Sequence, residues 1–397
     1  MVHPPQPASR GVMSPPLGAG PGKWMMLKGV SSMRRLVVKI GSNILAEGTK
    51  GLDTKRISSI AGDISGLHSM GYDVVIVSSG AVAAGMKKLG LREKPRDIKL
   101  KQAAAAVGQS NLMWAYERSF GEYGKKVAQV LLTRDDFADR KRYINAKNTL
   151  LTLLSYEIVP VINENDTVAT DEIKFGDNDY LASLVAGLVE AERLIILSDV
   201  EGLYTEDPRR NPGAGLIGHV EEITPEFEEM AGGAGSAVGT GGMYSKILAA
   251  KRAVSHGITV HIISGRKDGL LKSLLAGGRF GTLFKPKEHK LSSRKGWIAY
   301  GSRSKGSLII DGGAIKALVE GGKSLLPSGI VSVEGDFDTG DAVYCLDSKR
   351  DRIAKGLTNY SSSEIGKILG KKTSEIEKIL GYKYSEEVIH RDNLVLV

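Results

Sequence analysis

The sequence predicts an α/β protein in two parts: a mostly parallel sheet covered by helices up to about residue 265, then a small, mostly β domain. Three observations predict it. In Ile158–Tyr204, two short β-branched runs, Ile158–Ile162 and Leu194–Leu197, flank a segment whose Leu181, Leu184, Val185, Leu188 and Val189 share one helical face. Strand-like and helical patterns alternate in the same way from Leu36 to Ile263. Beyond Gly306 the pattern changes to short alternating segments spaced by Gly and Asp turns.

The elements follow in order. Residues 1–33 are rich in Pro and Gly and hold no acid, which predicts a disordered extension without a signal-type apolar core. Leu36–Ile40 reads as a strand broken by Gly41-Ser42-Asn43, Thr54–Met70 as a helix, and Val74–Val77 as a strand ending in Ser78-Ser79-Gly80. Leu100–Phe120 reads as a helix, Val127–Leu132 as a strand and Tyr143–Ser155 as a helix. After the central unit, Thr205–Gly213 has the composition of a hairpin or lid. The glycine-rich run Ala231–Gly242 then leads to a helix near Met243, and Ile258–Ile263 is a further strand. Residues 266–302 read as basic and turn-rich. Strands are expected at Ser307–Ile310, Gly329–Val333, Ala342–Leu346 and Leu394–Val397, with short helices at Ala314–Glu320 and Ser374–Leu380.

Composition narrows the function classes. A single cysteine, Cys345, excludes an internal disulfide framework and a cysteine zinc cluster, so a reducing cytoplasmic setting is expected and Cys345 reads as a core residue. No apolar run approaches the roughly 18 residues that span a membrane. The net charge of +9 divides unevenly: residues 1–35 hold five basic and no acidic groups, 266–302 hold nine against two, and 303–397 hold 14 of each. A folded domain held to nucleic acid mainly by charge is therefore disfavoured, and Lys349-Arg350, Arg352 and Lys355 read as solvated surface.

The candidate chemistry lies at strand ends. A lysine inside a buried strand, Lys39, needs a carboxylate or an anionic ligand, and the glycine after it lets a phosphate approach the backbone. Lys246 follows a glycine-rich loop on the first turns of a helix, where anions are favoured. Asn163 to Asp166 and Ser198-Asp199 each follow a strand, where open parallel sheets bind ligands, although Asp and Asn also serve as plain caps and turn residues. There is no G-x-x-x-x-G-K-[ST] motif, no G-x-G-x-x-G after the first strand and no metal spacing among the seven histidines. His390-Arg391-Asp392 imitates a protein-kinase loop without its companions and reads as coincidence. Two lysines, two glycine turns and the groups at Asp166, Asn178 and Asp179 form a set suited to phosphoryl transfer, which needs cations and backbone N–H groups around the migrating phosphoryl.

The motifs VVKIGSN, VSSGAVAAG, VINENDTV, FGDNDYLASLVA, LSDVEGLY and GTGGMYSK, in that order, resemble the amino acid kinase family, most closely its bacterial glutamate 5-kinase branch. GKSLLPSGI, GDAVYC, AKGLTNYSSSEI and VIHRDNLVLV resemble a PUA domain. The resemblance implies a three-layer αβα sandwich plus a PUA domain, with an extension at 1–33, a kinase domain at 34–287, a basic linker at 288–304 and the PUA domain at 305–397. It implies ATP-dependent phosphorylation of the γ-carboxylate of L-glutamate, the first step of proline biosynthesis. Acetylglutamate, aspartate or carbamate kinase and a PUA-based RNA-binding protein are the rivals.

By motif, the resemblance assigns Lys39 and Lys246 to the ATP phosphates and the transition-state charge, Asp179 to orienting both lysines, and Gly41 and Gly80 to backbone contacts with the phosphoryl. Ser79, Asp166 and Asn178 would hold glutamate, with Asp166 on its α-ammonium. Ser198, Asp199 and Thr240, Gly241, Gly242, Met243, Tyr244, Ser245 and Lys246 would line the nucleotide site, with Mg²⁺ accompanying ATP and no protein metal ligands. Proline feedback, a homo-oligomer and coupling to glutamyl phosphate reductase are further implications. The kinase part, ending near Lys287, is expected to be self-sufficient because every residue of the constellation precedes it.

Overall fold

The computed structural model describes residues 34–46, 51–93, 95–168, 178–231, 242–286 and 293–397. The first sheet has eight strands in the order β3-β4-β2-β1-β5-β7-β8-β6. Its strands are β1 (Arg34–Ile40), β2 (Tyr72–Ser78), β3 (Val127–Leu132), β4 (Val159–Glu164), β5 (Arg193–Ser198), β6 (His219–Val220), β7 (Thr259–Ser264) and β8 (Thr282–Phe284). From β3 across to β7 every pairing is parallel, and β8 runs antiparallel to β7.

The helices of this part are α1 (Ser42–Leu45), α2 (Thr54–Ser69), α3 (Ala81–Lys88), α4 (Ile98–Gly121), α5 (Arg134–Ala138), α6 (Arg140–Ser155), α7 (Asn178–Leu188), α8 (Pro225–Met230), α9 (Met243–Ser255), α10 (Leu270–Leu275) and α11 (Ser293–Gly296). Side-chain caps start several of them: Asp53 accepts from Arg56 N, Asp97 from Leu100 N and Asp139 from Arg142 N. The pleat sorts the strand residues onto two faces. Val37, Val75, Val77, Leu194, Ile196 and Val260 pack with Leu181, Leu184, Val185 and Leu188 of α7 and with Ile247, Ala250 and Ala253 of α9. Leu36, Val38, Val74, Ile76, Ile195 and Leu197 pack on the other face with α2 and α4. These are three layers, with a core on each side of the sheet.

The second sheet has the order β10-β9-β11-β12-β13, built from β9 (Ser304–Ile310), β10 (Ile330–Gly335), β11 (Ala342–Leu346), β12 (Arg352–Leu357) and β13 (Leu394–Leu396). Helices α12 (Gly312–Val319), α13 (Ser362–Ile368) and α14 (Ile376–Leu380) accompany it. Cys345 is fully buried in its core, where burial pushes the thiol up to about 12.

The structure corrects several expectations. The α/β part does not stop at residue 265: 266–302 contains α10, β8, α11 and a π-helical turn at Trp297–Gly301. These pieces are too short to show a period. Trp297 and Ile298 are buried in the core shared with α7, and Trp297 Nε1 donates to Phe137 O at 2.7 Å. Helix α3, whose buried face is Ala81, Ala84, Gly85 and Met86, lies close against α4 through small residues: a Cβ on Gly85 would meet Ala104 O at 1.8 Å, and one on Gly108 would meet Ala81 O at 1.8 Å. Strand β12 was hidden by its charges, since Lys355, read as solvated, is 3% exposed.

Candidate active site

Strands β4, β2, β1 and β5 are neighbours in the sheet, so their carboxyl ends place Asn163 to Asp166, Ser79-Gly80, Gly41 and Ser198-Asp199 side by side. The first turns of α7 and α9 face the same edge through Asp179 and Lys246.

Asp179 is fully buried, and each of its oxygens carries a cation. Lys39 Nζ lies 2.5 Å from Oδ1 and Lys246 Nζ lies 3.0 Å from Oδ2. Ser245 Oγ also donates to Oδ2, at 3.0 Å. Lys39 reaches Asp179 because side chains two apart on a strand share a face, which puts it beside Val37 against α7. Burial alone would raise the Asp179 carboxyl, but the Lys39 and Lys246 ammonium groups outweigh it and hold the group ionised far below the ordinary range. Two lysine ammonium groups thus share one buried carboxylate beneath the strand ends, an arrangement suited to an incoming polyphosphate.

Beside the clamp lies a network of amides. Asn178 Nδ2 donates to Ser78 O at 2.7 Å, Ser79 Oγ at 2.9 Å and Asn163 Oδ1 at 3.0 Å. Asn163 Nδ2 donates in turn to Gln109 Oε1 on α4 at 2.9 Å, and the Ser78 hydroxyl pairs with Tyr116 OH at 2.9 Å. These partners fix the orientation of the Asn178 amide. Its Oδ1 is therefore left as a buried acceptor without a partner among the described residues.

Asp166 follows β4 in the turn closed by Val168 N to Asn165 O at 3.1 Å. Burial raises its carboxyl, and the Lys101 ammonium offsets only part of that. Asp199 accepts from Asn43 Nδ2 at 3.1 Å, and this bond, with nearby Lys246, overcomes its burial and lowers it. Gly80 has φ +102° and opens α3, so a side chain there would be strained and the first-turn amides of α3 point out of the helix. Gly41 N donates to Leu197 O at 3.3 Å, which ties the end of β1 to β5.

Of the residues expected for nucleotide, Gly242, Met243, Tyr244 and Ser245 open α9 beside Lys246, while Thr240 and Gly241 lie outside the described residues. Asn163, expected at a strand end, serves as an amide relay, and the site also holds residues that sequence reasoning did not single out: Gln109, Tyr116, Lys101 and Asn43. Only the unusually small-residue run around Gln109 (QAAAAVGQS) marked a close helix contact near the site. Among the described residues no cluster of three or more His, Cys, Asp or Glu is arranged to hold a metal.

Comparison with known proteins agrees with this architecture. The amino acid kinase family model matches residues 34–264, and the PUA domain model matches 306–380. The glutamate 5-kinase of Syntrophotalea carbinolica is 53% identical over 367 residues, covering 92% of this chain and 98% of that one. That of Geobacter sulfurreducens is 53% identical over 368 residues, covering 93% and 99%, and that of Pelobacter propionicus is 52% identical over 365 residues, covering 92% and 98%. With the family model spanning more than half of its length and relatives matched nearly end to end, the chain belongs to the amino acid kinase family and carries a C-terminal PUA domain.

Proposed function

We propose that this chain is an ATP-dependent kinase that phosphorylates the γ-carboxylate of L-glutamate, giving L-glutamyl 5-phosphate and ADP in the first step of proline biosynthesis. The observation that carries this reading is the Asp179 clamp on Lys39 and Lys246 beside the Asn178 amide network. The relatives named above support glutamate as the acceptor.

A γ-carboxylate oxygen of glutamate attacks the γ-phosphorus of ATP, the bond from that phosphorus to the β,γ-bridging oxygen breaks, and ADP leaves with the electron pair. No proton transfer is needed. Catalysis is therefore a matter of placement and charge. Lys39 and Lys246 stabilise the charge that moves onto the transferring phosphoryl and the leaving oxygen, and Asp179 holds both at fixed positions. Gly80 offers its backbone N–H to the phosphoryl, and Gly41, whose own N–H is given to Leu197 O, forms the turn beside it. Asp166 takes the α-ammonium of glutamate, while Ser79 and the unspent Oδ1 of Asn178 fix the amino acid. Ser198 and Asp199, with Thr240, Gly241 and the start of α9 from Gly242 to Lys246, line the nucleotide side. Mg²⁺ would accompany ATP and would supply neutralisation of part of the triphosphate charge, while both Asp179 oxygens are taken by lysines.

The proposal extends to a cytoplasmic homo-oligomer inhibited by proline at or near the glutamate site, passing its acyl phosphate to glutamyl phosphate reductase. No helix among the described residues is long and apolar enough to cross a membrane. The division into a kinase domain at 34–287, a connecting stretch at 288–304 whose Trp297 and Ile298 are buried against the kinase core, and a PUA domain at 305–397 is part of the same reading, as is a PUA domain without charge-driven RNA binding. Incubation with ATP, Mg²⁺ and hydroxylamine tests the reaction, because the acyl phosphate is trapped as a hydroxamate. Hydroxamate is expected from L-glutamate, and equal or greater yield from N-acetylglutamate or aspartate would overturn the assignment.

A further inference from the structure

Where the PUA sheet meets the kinase part, four cations gather with no carboxylate among their described partners. Arg252 on α9 lies 3.9 Å from the centre of the Tyr180 ring and 5.4 Å from that of Tyr300. Its Nη1 donates weakly to Ser183 Oγ at 3.4 Å, and its buried Nε has no partner among the described residues. Arg134, exposed at the start of α5, stands 5.5 Å from the same Tyr180 ring. Lys355 comes from β12 of the PUA sheet and is 3% exposed, with its Nζ donating to Ser302 O at 2.6 Å. Arg352 and Lys355 share the Tyr344 ring, at 4.4 Å and 5.4 Å.

These groups repel one another. Burial, then Arg134 and Arg352, push the Lys355 ammonium down to about 8, and burial with Arg134 lowers Arg252. Ring faces and one carbonyl compensate only part of the cost of burying such charges. Elsewhere in the chain a buried lysine is matched by a carboxylate, as Lys39 and Lys246 are by Asp179.

We propose that Arg134, Arg252 and Lys355 form a binding site for a phosphate-type oxyanion at the junction of the kinase part and the PUA domain. A compact dianion suits the set: guanidinium forks recognise phosphate oxygens in pairs, and the lysine adds a point charge. The site is wired to the catalytic centre by the chain itself. Tyr180 follows Asp179, and Arg252 lies on the same helix as Lys246.

The test uses the full chain with Mg²⁺ and a non-hydrolysable ATP analogue at saturation, so that the nucleotide phosphate site is filled. Inorganic phosphate is titrated against chloride at matched ionic strength, followed by calorimetry and thermal unfolding. Phosphate should bind and raise the Tm of the wild type beyond the chloride control. Arg134→Gln and Lys355→Met should each weaken that binding by about tenfold or more. In chloride alone, Arg134→Gln should unfold no earlier than wild type, because a like charge has gone. Should Lys355→Met fail to fold, the exposed Arg134→Gln carries the comparison. A short single-stranded RNA that displaces phosphate would assign the oxyanion to a polynucleotide backbone, and failure to displace it would assign it to a small molecule; both support the site. Phosphate acting no differently from chloride on the wild type, or undiminished phosphate affinity in Arg134→Gln, would overturn it.

Discussion

Lys246 Nζ lies 3.0 Å from Asp179 Oδ2, a contact that joins the first turn of α9 to the first turn of α7 in the floor of the cleft. The carboxylate is shared with Lys39 from β1, so one buried anion sets the positions of two cations that lie far apart in the sequence.

Lys246→Met keeps the length of the side chain and removes its charge. It should lower kcat by about 10²–10³-fold, the usual cost of losing one preorganised group on transition-state charge. Asp179 retains Lys39 as a partner in this variant, so the unfolding midpoint should move little. Steady-state kinetics with near-normal kcat would remove Lys246 from the reaction.

Asp179→Ala leaves two ammonium groups facing each other in a buried site. Breaking such a pair costs about 3–5 kcal/mol, which urea unfolding would register as a lower midpoint. The sign with pH follows from the depressed carboxyl of Asp179. Its contribution is full above the ordinary aspartate pKa and is lost only as the pH falls well below that value. The wild type should therefore outlast Asp179→Ala at neutral pH, and the gap should persist into mild acid.

Asp166 works against folding until its ligand arrives. Burial raises its carboxyl, so the folded chain binds a proton more readily than the unfolded one, and stability declines as the pH rises through that window. Asp166→Asn should thus be at least as stable as wild type at neutral pH. The KM for glutamate should nevertheless rise by about tenfold or more, with the KM for ATP little changed. In the wild type the KM for glutamate should climb as the pH falls and Asp166 protonates, more steeply than in Asp166→Asn. Parallel rises in both KM values would place Asp166 elsewhere.

Trp297 bears on where the kinase part can be cut. Its indole is 6% exposed, in contact with the core of α7, with Nε1 on Phe137 O. A chain ending at Lys287 loses this contact, whereas one ending at Ser302 keeps it. Trp297→Ala should cost about 3–5 kcal/mol. Accordingly, the Lys287 truncation should unfold well below the Ser302 truncation, and equal midpoints would show that the turn is dispensable.

The sequence by itself determined the strand and helix alternation from Leu36 to Ile263, because buried strands and one-sided helices must repeat with periods of two and 3.6. It also determined that Lys39 needed a counter-charge, since an unpaired ammonium inside a strand is too costly to keep. Which carboxylate supplies it was decided only in three dimensions, when the crossover connections brought the first turn of α7 under the end of β1. The same holds for Asn163 and Gln109, whose amides carry no pattern until β4 and α4 lie side by side. Helix α3 and strand β12 carry weak local signals for different reasons: one is only eight residues long and packs mainly through glycine and alanine, the other buries a lysine that composition places in solvent. Lys355 shows the limit most clearly. Local sequence sets its charge, but its burial beside Arg134 depends on a domain contact between residues far apart in the chain, and no short-range periodicity records such a contact.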